Sequence, residues 1–145
     1  MKLTAAGLIG LILCGLTGEV PLAKASSHQI EWHSYDSGLA RGKFEKKNVF
    51  LNFYADWCAY CIEMDKKTFK DSSVVAYLNE HFISIKVDVD RETETANIFR
   101  VRGLPDSWFI SKTGEIIGHR PGYLTPEMLL NILKAIMSES AAEKP

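Results

Sequence analysis

Two cysteines separated by two residues, Cys58 and Cys61, stand where one backbone pattern gives way to another. Val49 to Tyr54 is an apolar run interrupted only by Asn52, as in a buried strand, whereas Cys58 to Lys70 holds neither Gly nor Pro and reads as a helix. A strand handing over to a helix puts Cys58 at the helix N-terminus, beside unpaired backbone N–H groups. Those groups and the helix dipole stabilise a thiolate, the species that attacks a disulfide. Cys61 follows one turn later on the same side, placed to resolve a mixed disulfide by attacking Cys58. A C-x-x-C at such a junction of a β-α chain is a redox signature.

The compartment implied by the rest of the chain agrees with that chemistry. Met1-Lys2 is a short positive start, Leu3 to Leu16 is an apolar run, and Ala23-Lys24-Ala25 supplies small residues before a cut, so residues 1–25 read as a secretory signal peptide and residues 26–145 as the domain. A membrane anchor is the other reading, but the 14-residue run falls short of the roughly 20 apolar residues that span a bilayer. Cys14 follows Leu13, where lipoprotein processing wants a small residue, and leaves with the signal. Only Cys58 and Cys61 then remain, and a bridge between residues so close closes too short a loop to staple a fold. At 46% hydrophobic and 24% charged residues the composition is that of a globular domain, and 17 basic against 18 acidic side chains give no surplus to draw nucleic acid or acidic lipid.

Along the domain no repeat or long linker interrupts a regular order of elements. Gln29 to His33 has strand spacing through Ile30 and Trp32, and Asp36 is placed to cap a helix running toward Lys47 that Gly38 and Gly42 weaken. After the Cys58–Lys70 helix, Asp71 caps a second one carrying Val74, Val75 and Leu78. Phe82 to Val89 is the next strand, Thr93 to Arg100 a polar helix, and Trp108–Ile110, a Lys112-Thr113-Gly114 turn and Glu115–Gly118 a hairpin. Thr125-Pro126 opens the last helix as cap and first turn. This order implies an α/β fold, a central mixed sheet flanked by helices.

Two non-redox uses of the sulfurs compete. A zinc site needs two further ligands, and His28, His33, His81 and His119 are scattered without metal-ligand spacing. A copper or cofactor-maturation chaperone asks less, since two thiolates and one histidine suffice for Cu(I).

Phe53-Tyr54-Ala55-Asp56-Trp57-Cys58-x-x-Cys61, followed by Thr68-Phe69, Val87-Asp88-Val89-Asp90, Gly103-Leu104-Pro105 and Gly122-Tyr123, resembles the thioredoxin superfamily from about Ile30 to Leu133. Within it the chain is most similar to the C-terminal periplasmic domain of DsbD-type thiol:disulfide interchange proteins. The resemblance implies a thioredoxin fold, Cys58 as attacking and Cys61 as resolving cysteine, Trp57 as the flanking tryptophan, and Pro105 as a proline preceded by a cis peptide bond. It leaves the Leu104 backbone free to pair with a substrate, and Tyr60, between the cysteines, as a contact for a partner. It implies no cofactor, a disulfide-bonded protein as substrate, a transmembrane thiol reductase as possible electron donor, a periplasmic location and a monomer.

The sequence departs from the family at two positions. Asn52 stands where relatives carry a buried Asp that assists proton transfer, and an amide cannot exchange a proton at neutral pH. Asp65, four residues after Cys61 and on the cysteine face of the helix, matches an active-site acid of the DsbD domain and is the substitute candidate; a solvated acid beside Lys66 and Lys67 is the bland alternative. Asp106 follows the cis-proline where most thioredoxins have Thr, and a carboxylate near Cys58 would disfavour its thiolate. With no His between the cysteines, these features point to a reductant, with a potential nearer about -270 mV than about -120 mV.

Overall fold

In chain order the computed structural model, which describes residues 28–142, comprises β1 (Trp32–His33), α1 (Tyr35–Glu45), β2 (Asn48–Tyr54), α2 (Ala59–Lys66), α3 (Ser72–His81), β3 (Phe82–Asp88), α4 (Thr93–Ile98), β4 (Asp106–Ile110), β5 (Ile116–Pro121) and α5 (Pro126–Ala142). The signal peptide expected at residues 1–25 lies outside the described residues. The strands form one sheet in the order β1-β3-β2-β4-β5. β1 and β2 run parallel to β3, and β4 and β5 add antiparallel. β2 is central and buried on both faces, which is why its sequence is a near-continuous apolar run rather than an alternation.

Alternation along the strands divides the core in two. One face carries Phe50 and Phe109 against Met64, Phe69, Val74, Leu78, Leu129 and Leu133 from the α2, α3 and α5 side. The other carries Val49, Leu51, Phe53, Ile85 and Val87 against Phe99, with Leu39 of α1 and Ala96 of α4 packed on it. Each large apolar side chain so buried contributes roughly 1.5–3 kcal/mol, so β2 alone anchors both layers.

The glycines that weaken α1 as a helix turn out to be its contact surface. Gly38 and Gly42 are its buried residues. A Cβ at Gly38 would overlap Ile85 Cγ1, and one at Gly42 would sit 2.7 Å from Val49 Cγ2. The helix trades propensity for a close approach to the sheet.

Several element ends differ from the sequence reading, each for a tertiary reason. The expected Gln29–His33 strand is reduced to Trp32–His33 because the Asn79 side chain takes the Glu31 N–H (3.0 Å) and donates to the Gln29 carbonyl (2.9 Å), groups a ladder would have used. The expected Cys58–Lys70 helix stops at Lys66 and resumes as a 3-10 turn at Thr68–Lys70. There the Thr68 hydroxyl donates to the Leu124 carbonyl (2.5 Å) and Phe69 turns into the core. Ser34, not Asp36, occupies the cap of α1; Asp36 sits inside the first turn, where its charge still suits the dipole. α4 ends at Ile98 rather than Arg100, and Arg100 takes a left-handed φ of 52°. Asp71 does cap α3, accepting from the N–H groups of Ser73 and Val74, each at 3.0 Å, and Thr125 accepts from the Met128 N–H at 3.2 Å.

Candidate active site

β2 ends at Tyr54, the chain turns through Ala55-Asp56-Trp57, and α2 begins at Ala59, so Cys58 is the N-cap of α2. Its sulfur accepts the Cys61 N–H at 3.1 Å, filling with sulfur the role that Ser or Asp fills at other caps. Cys58 and Cys61 form a disulfide with Cα atoms 5.2 Å apart. The two residues are 5% and 3% exposed, so access does not separate them in the oxidised pair. What separates them is the backbone donor aimed at Cys58 Sγ, the atom on which a thiolate would form after reduction.

The bond preceding Pro105 is cis, as the resemblance implied. The Pro105 carbonyl accepts the Gly122 N–H at 2.7 Å, which holds this loop to the end of β5. Leu104 packs with Tyr54 and Val89 against Ala55, Cys58 and Cys61. Trp57 and Tyr60 are exposed by 70% and 62%, forming an open apolar rim. The Trp57 indole is not loose: its Nε1 donates to Asp90 Oδ2 at 2.8 Å.

Asn52 is 1% exposed and donates through Nδ2 to the Ser107 hydroxyl (3.2 Å), itself fully buried. The pair joins two uncharged polar groups in the core. Beside Asn52 in register on β3 stands Lys86. Its ammonium donates to both oxygens of Asp65 (2.6 and 2.7 Å) and lies 4.4 Å from the Tyr54 ring centroid. Asp65 is therefore not the freely solvated acid set beside Lys66 and Lys67. It is partly exposed and directed by Lys86. Burial, then the charges of Asp88 and Asp56, push the Tyr54 hydroxyl above its ordinary 10.0.

Asp106, expected to bear on the Cys58 thiolate, is buried and spent on His119, whose Nδ1 is 3.0 Å from Oδ1. Sequence reasoning missed four partners: Ser107, Lys86, Asp90 and His119. Lys86 left a trace, as the one charge inside the apolar stretch Phe82–Val87. His119 left none, since the hairpin register that brings it beside Trp108 and Asp106 cannot be read from one strand. Among the described residues no cluster of three His, Cys, Asp or Glu is placed to hold a metal ion, and no helix is long and apolar enough to cross a membrane.

A central β2 feeding a C-x-x-C disulfide at a helix N-terminus, beside a cis-proline loop, defines a thioredoxin fold with a dithiol–disulfide centre. Residues 36–137 match the thioredoxin-like domain family, and the chain belongs to it. It is 43% identical over 76 residues to the thiol:disulfide interchange protein DsbD of Vibrio vulnificus, covering 48% of this chain and 13% of that protein. It is 34% identical over 77 residues to a protein disulfide-isomerase of Datisca glomerata, covering 52% of this chain and 15% of that one. A thioredoxin from Thermus thermophilus superposes with a TM-score of 0.69 at 27% identity, covering 75% of this chain and 88% of that structure. The chain spans only about an eighth of the length of the DsbD proteins it matches.

Proposed function

We propose that this protein is an exported thiol–disulfide oxidoreductase that reduces protein disulfides, working in a bacterial periplasm. The observation that carries the reading is the Cys58–Cys61 disulfide with the Cys61 N–H aimed at Cys58 Sγ. In the reduced protein the Cys58 thiolate attacks one sulfur of a substrate disulfide; a mixed disulfide forms and the other substrate sulfur leaves as a thiolate. Cys61 then gives up its proton and attacks Cys58, the mixed disulfide breaks, and two electrons have passed to the substrate. A dithiol donor restores the reduced pair. The similarity to DsbD supports a transmembrane thiol reductase in that role, and the apolar run Leu3 to Leu16 supports export.

Asn52 cannot accept the Cys61 proton. We assign that task to Asp65, one helical turn beyond Cys61, with Lys86 fixing its direction. Trp57, Tyr60, Leu104 and Pro105 form the surface on which the substrate chain lies.

The test is insulin reduction with dithiothreitol as donor, followed by equilibration in thiol buffers to obtain the potential. Turnover abolished in Cys58→Ser, a trapped mixed disulfide in Cys61→Ala, and a potential near about -270 mV are expected. A potential above about -180 mV would overturn the reducing direction, and no insulin turnover would overturn the enzyme reading. Asp65→Asn is expected to slow resolution but not the first attack.

A further inference from the structure

The two rims of the site carry opposite charge. On the Trp57 side stand Asp56, Asp88 and Asp90, three carboxylates against the guanidinium of Arg91. Arg91 is already engaged by Asp88 at 3.2 Å and Asp56 at 3.8 Å. On the cis-proline side the chain reads Arg100-Val101-Arg102-Gly103-Leu104-Pro105. Both arginines are exposed, and neither guanidinium has a hydrogen bond or carboxylate partner among the described residues. Arg102 precedes Leu104 by two residues, which keeps its Cα within about 8 Å of the Leu104 Cα. Leu104 in turn packs against the cysteines.

Arg100 ends α4 in the left-handed conformation that Lys46 takes at the end of α1. It closes α4 by donating its N–H to the Asn97 carbonyl (3.0 Å), while Val101 donates to Ala96 (3.1 Å). This is a helix ending in which the left-handed residue is usually Gly, yet here the φ of 52° belongs to an arginine. An L side chain in that region is strained relative to glycine. The Arg100 side chain is exposed and makes no hydrogen bond or ion pair among the described residues, and the residue lies four positions before Leu104.

We propose that Arg100 and Arg102 form a recognition arm for carboxylates flanking the reactive cysteine of a disulfide-bonded protein substrate. The inference rests on the reading of Cys58 as the attacking thiol and names the substrate class that the site selects. A polypeptide crossing between Trp57 and Leu104 presents one flank to a negative rim and the other to a positive one. Guanidinium groups pair with carboxylates through parallel N–H···O bonds, which fixes direction as well as charge. Acidic segments entering on the Leu104 side are drawn in, and basic ones are turned away.

The experiment uses the full chain, reduced, and three otherwise identical disulfide-linked peptides whose reactive cysteine is flanked by Glu, Ser or Lys. The Glu peptide is expected to be reduced about tenfold faster than the Lys peptide at low salt, with Ser between, and the gap to close in about 0.5 M NaCl. Arg102→Glu should reverse the order. Arg100→Gly, which suits the left-handed backbone, should narrow the gap without loss of thermal stability. Equal rates for the three peptides in the wild type, or an unchanged preference when both arginines are replaced by Ala, would overturn the inference and leave the reductase reading standing. Failure to reduce any peptide overturns that reading and the inference together.

Discussion

Asp106 and Ser107 are consecutive residues of β4 whose side chains enter opposite faces of the sheet, and each meets a polar partner in a different way. Ser107 is sealed with Asn52, two neutral groups at 0% and 1% exposure. Asp106 holds a carboxylate that is equally hidden, but its partner His119 keeps 46% of its side chain in solvent and stacks on Trp108 at 4.3 Å. The closed face here holds its amide and hydroxyl as an uncharged, hydrogen-bonded pair. A charge is kept where the partner can carry part of it to water. On the Asn52 face the ion pair Lys86–Asp65 likewise lies toward solvent, with side chains 19% and 40% exposed.

This contrast can be broken most directly at His119. His119→Ala leaves a buried carboxylate unpaired and is expected to cost about 2–3 kcal/mol in denaturant unfolding. His119→Asn, which keeps a donor near the position of Nδ1, should recover part of it. If His119→Ala unfolds at the wild-type midpoint, the Asp106 carboxylate does not depend on the imidazole.

A smaller effect is expected on the neutral face. Ser107→Ala and Asn52→Leu should each destabilise, but the double variant by less than their sum. A coupling of about 0.5–1.5 kcal/mol measures the buried amide–hydroxyl bond. Strict additivity would mean that the pair does not act as a unit.

The smallest effect lies in the tyrosines, one on each side. Tyr54 is raised by burial and then by Asp88 and Asp56; Tyr35, edge-on to Phe99 at 5.8 Å, is raised by burial and then by Asp36. A folded-state value above the unfolded one means stabilisation that is complete below about pH 10. It is lost as the pH rises through the folded values. Phenolate absorbance should therefore show two late-titrating tyrosines in the folded protein, with Tyr54→Phe removing one of them. A titration of the folded protein that matches the unfolded chain would sink the assignment.

Much of the site could be read from the chain because its logic is local. Cys58 and Cys61 are placed by one strand-to-helix turn and one helical turn, and the order of apolar runs sufficed for a mixed α/β sheet with Val49–Tyr54 as a buried strand; the strand order put β2 at its centre. Asn52 and Asp106 stand out as departures only against the pattern of the family that the chain resembles. Their consequences were not visible, because each is decided by a residue on another strand: Ser107 across β4, Lys86 across β3, His119 across the hairpin. Gly38 and Gly42 show the same limit from the packing side, since a helix that propensity disfavours is stabilised by an approach to Ile85 and Val49 that no local rule contains. The sequence by itself determined where the reactive sulfurs sit and which strand runs through the core, for those follow from short-range periodicity and the partial charge of a helix end. Only the tertiary structure decided which polar pair beneath them is sealed from solvent, which acid is held by a cation and which carboxylate meets a histidine. Burial and pairing are set by neighbours distant in the chain, and in a low-dielectric interior those neighbours fix the charge a side chain can keep.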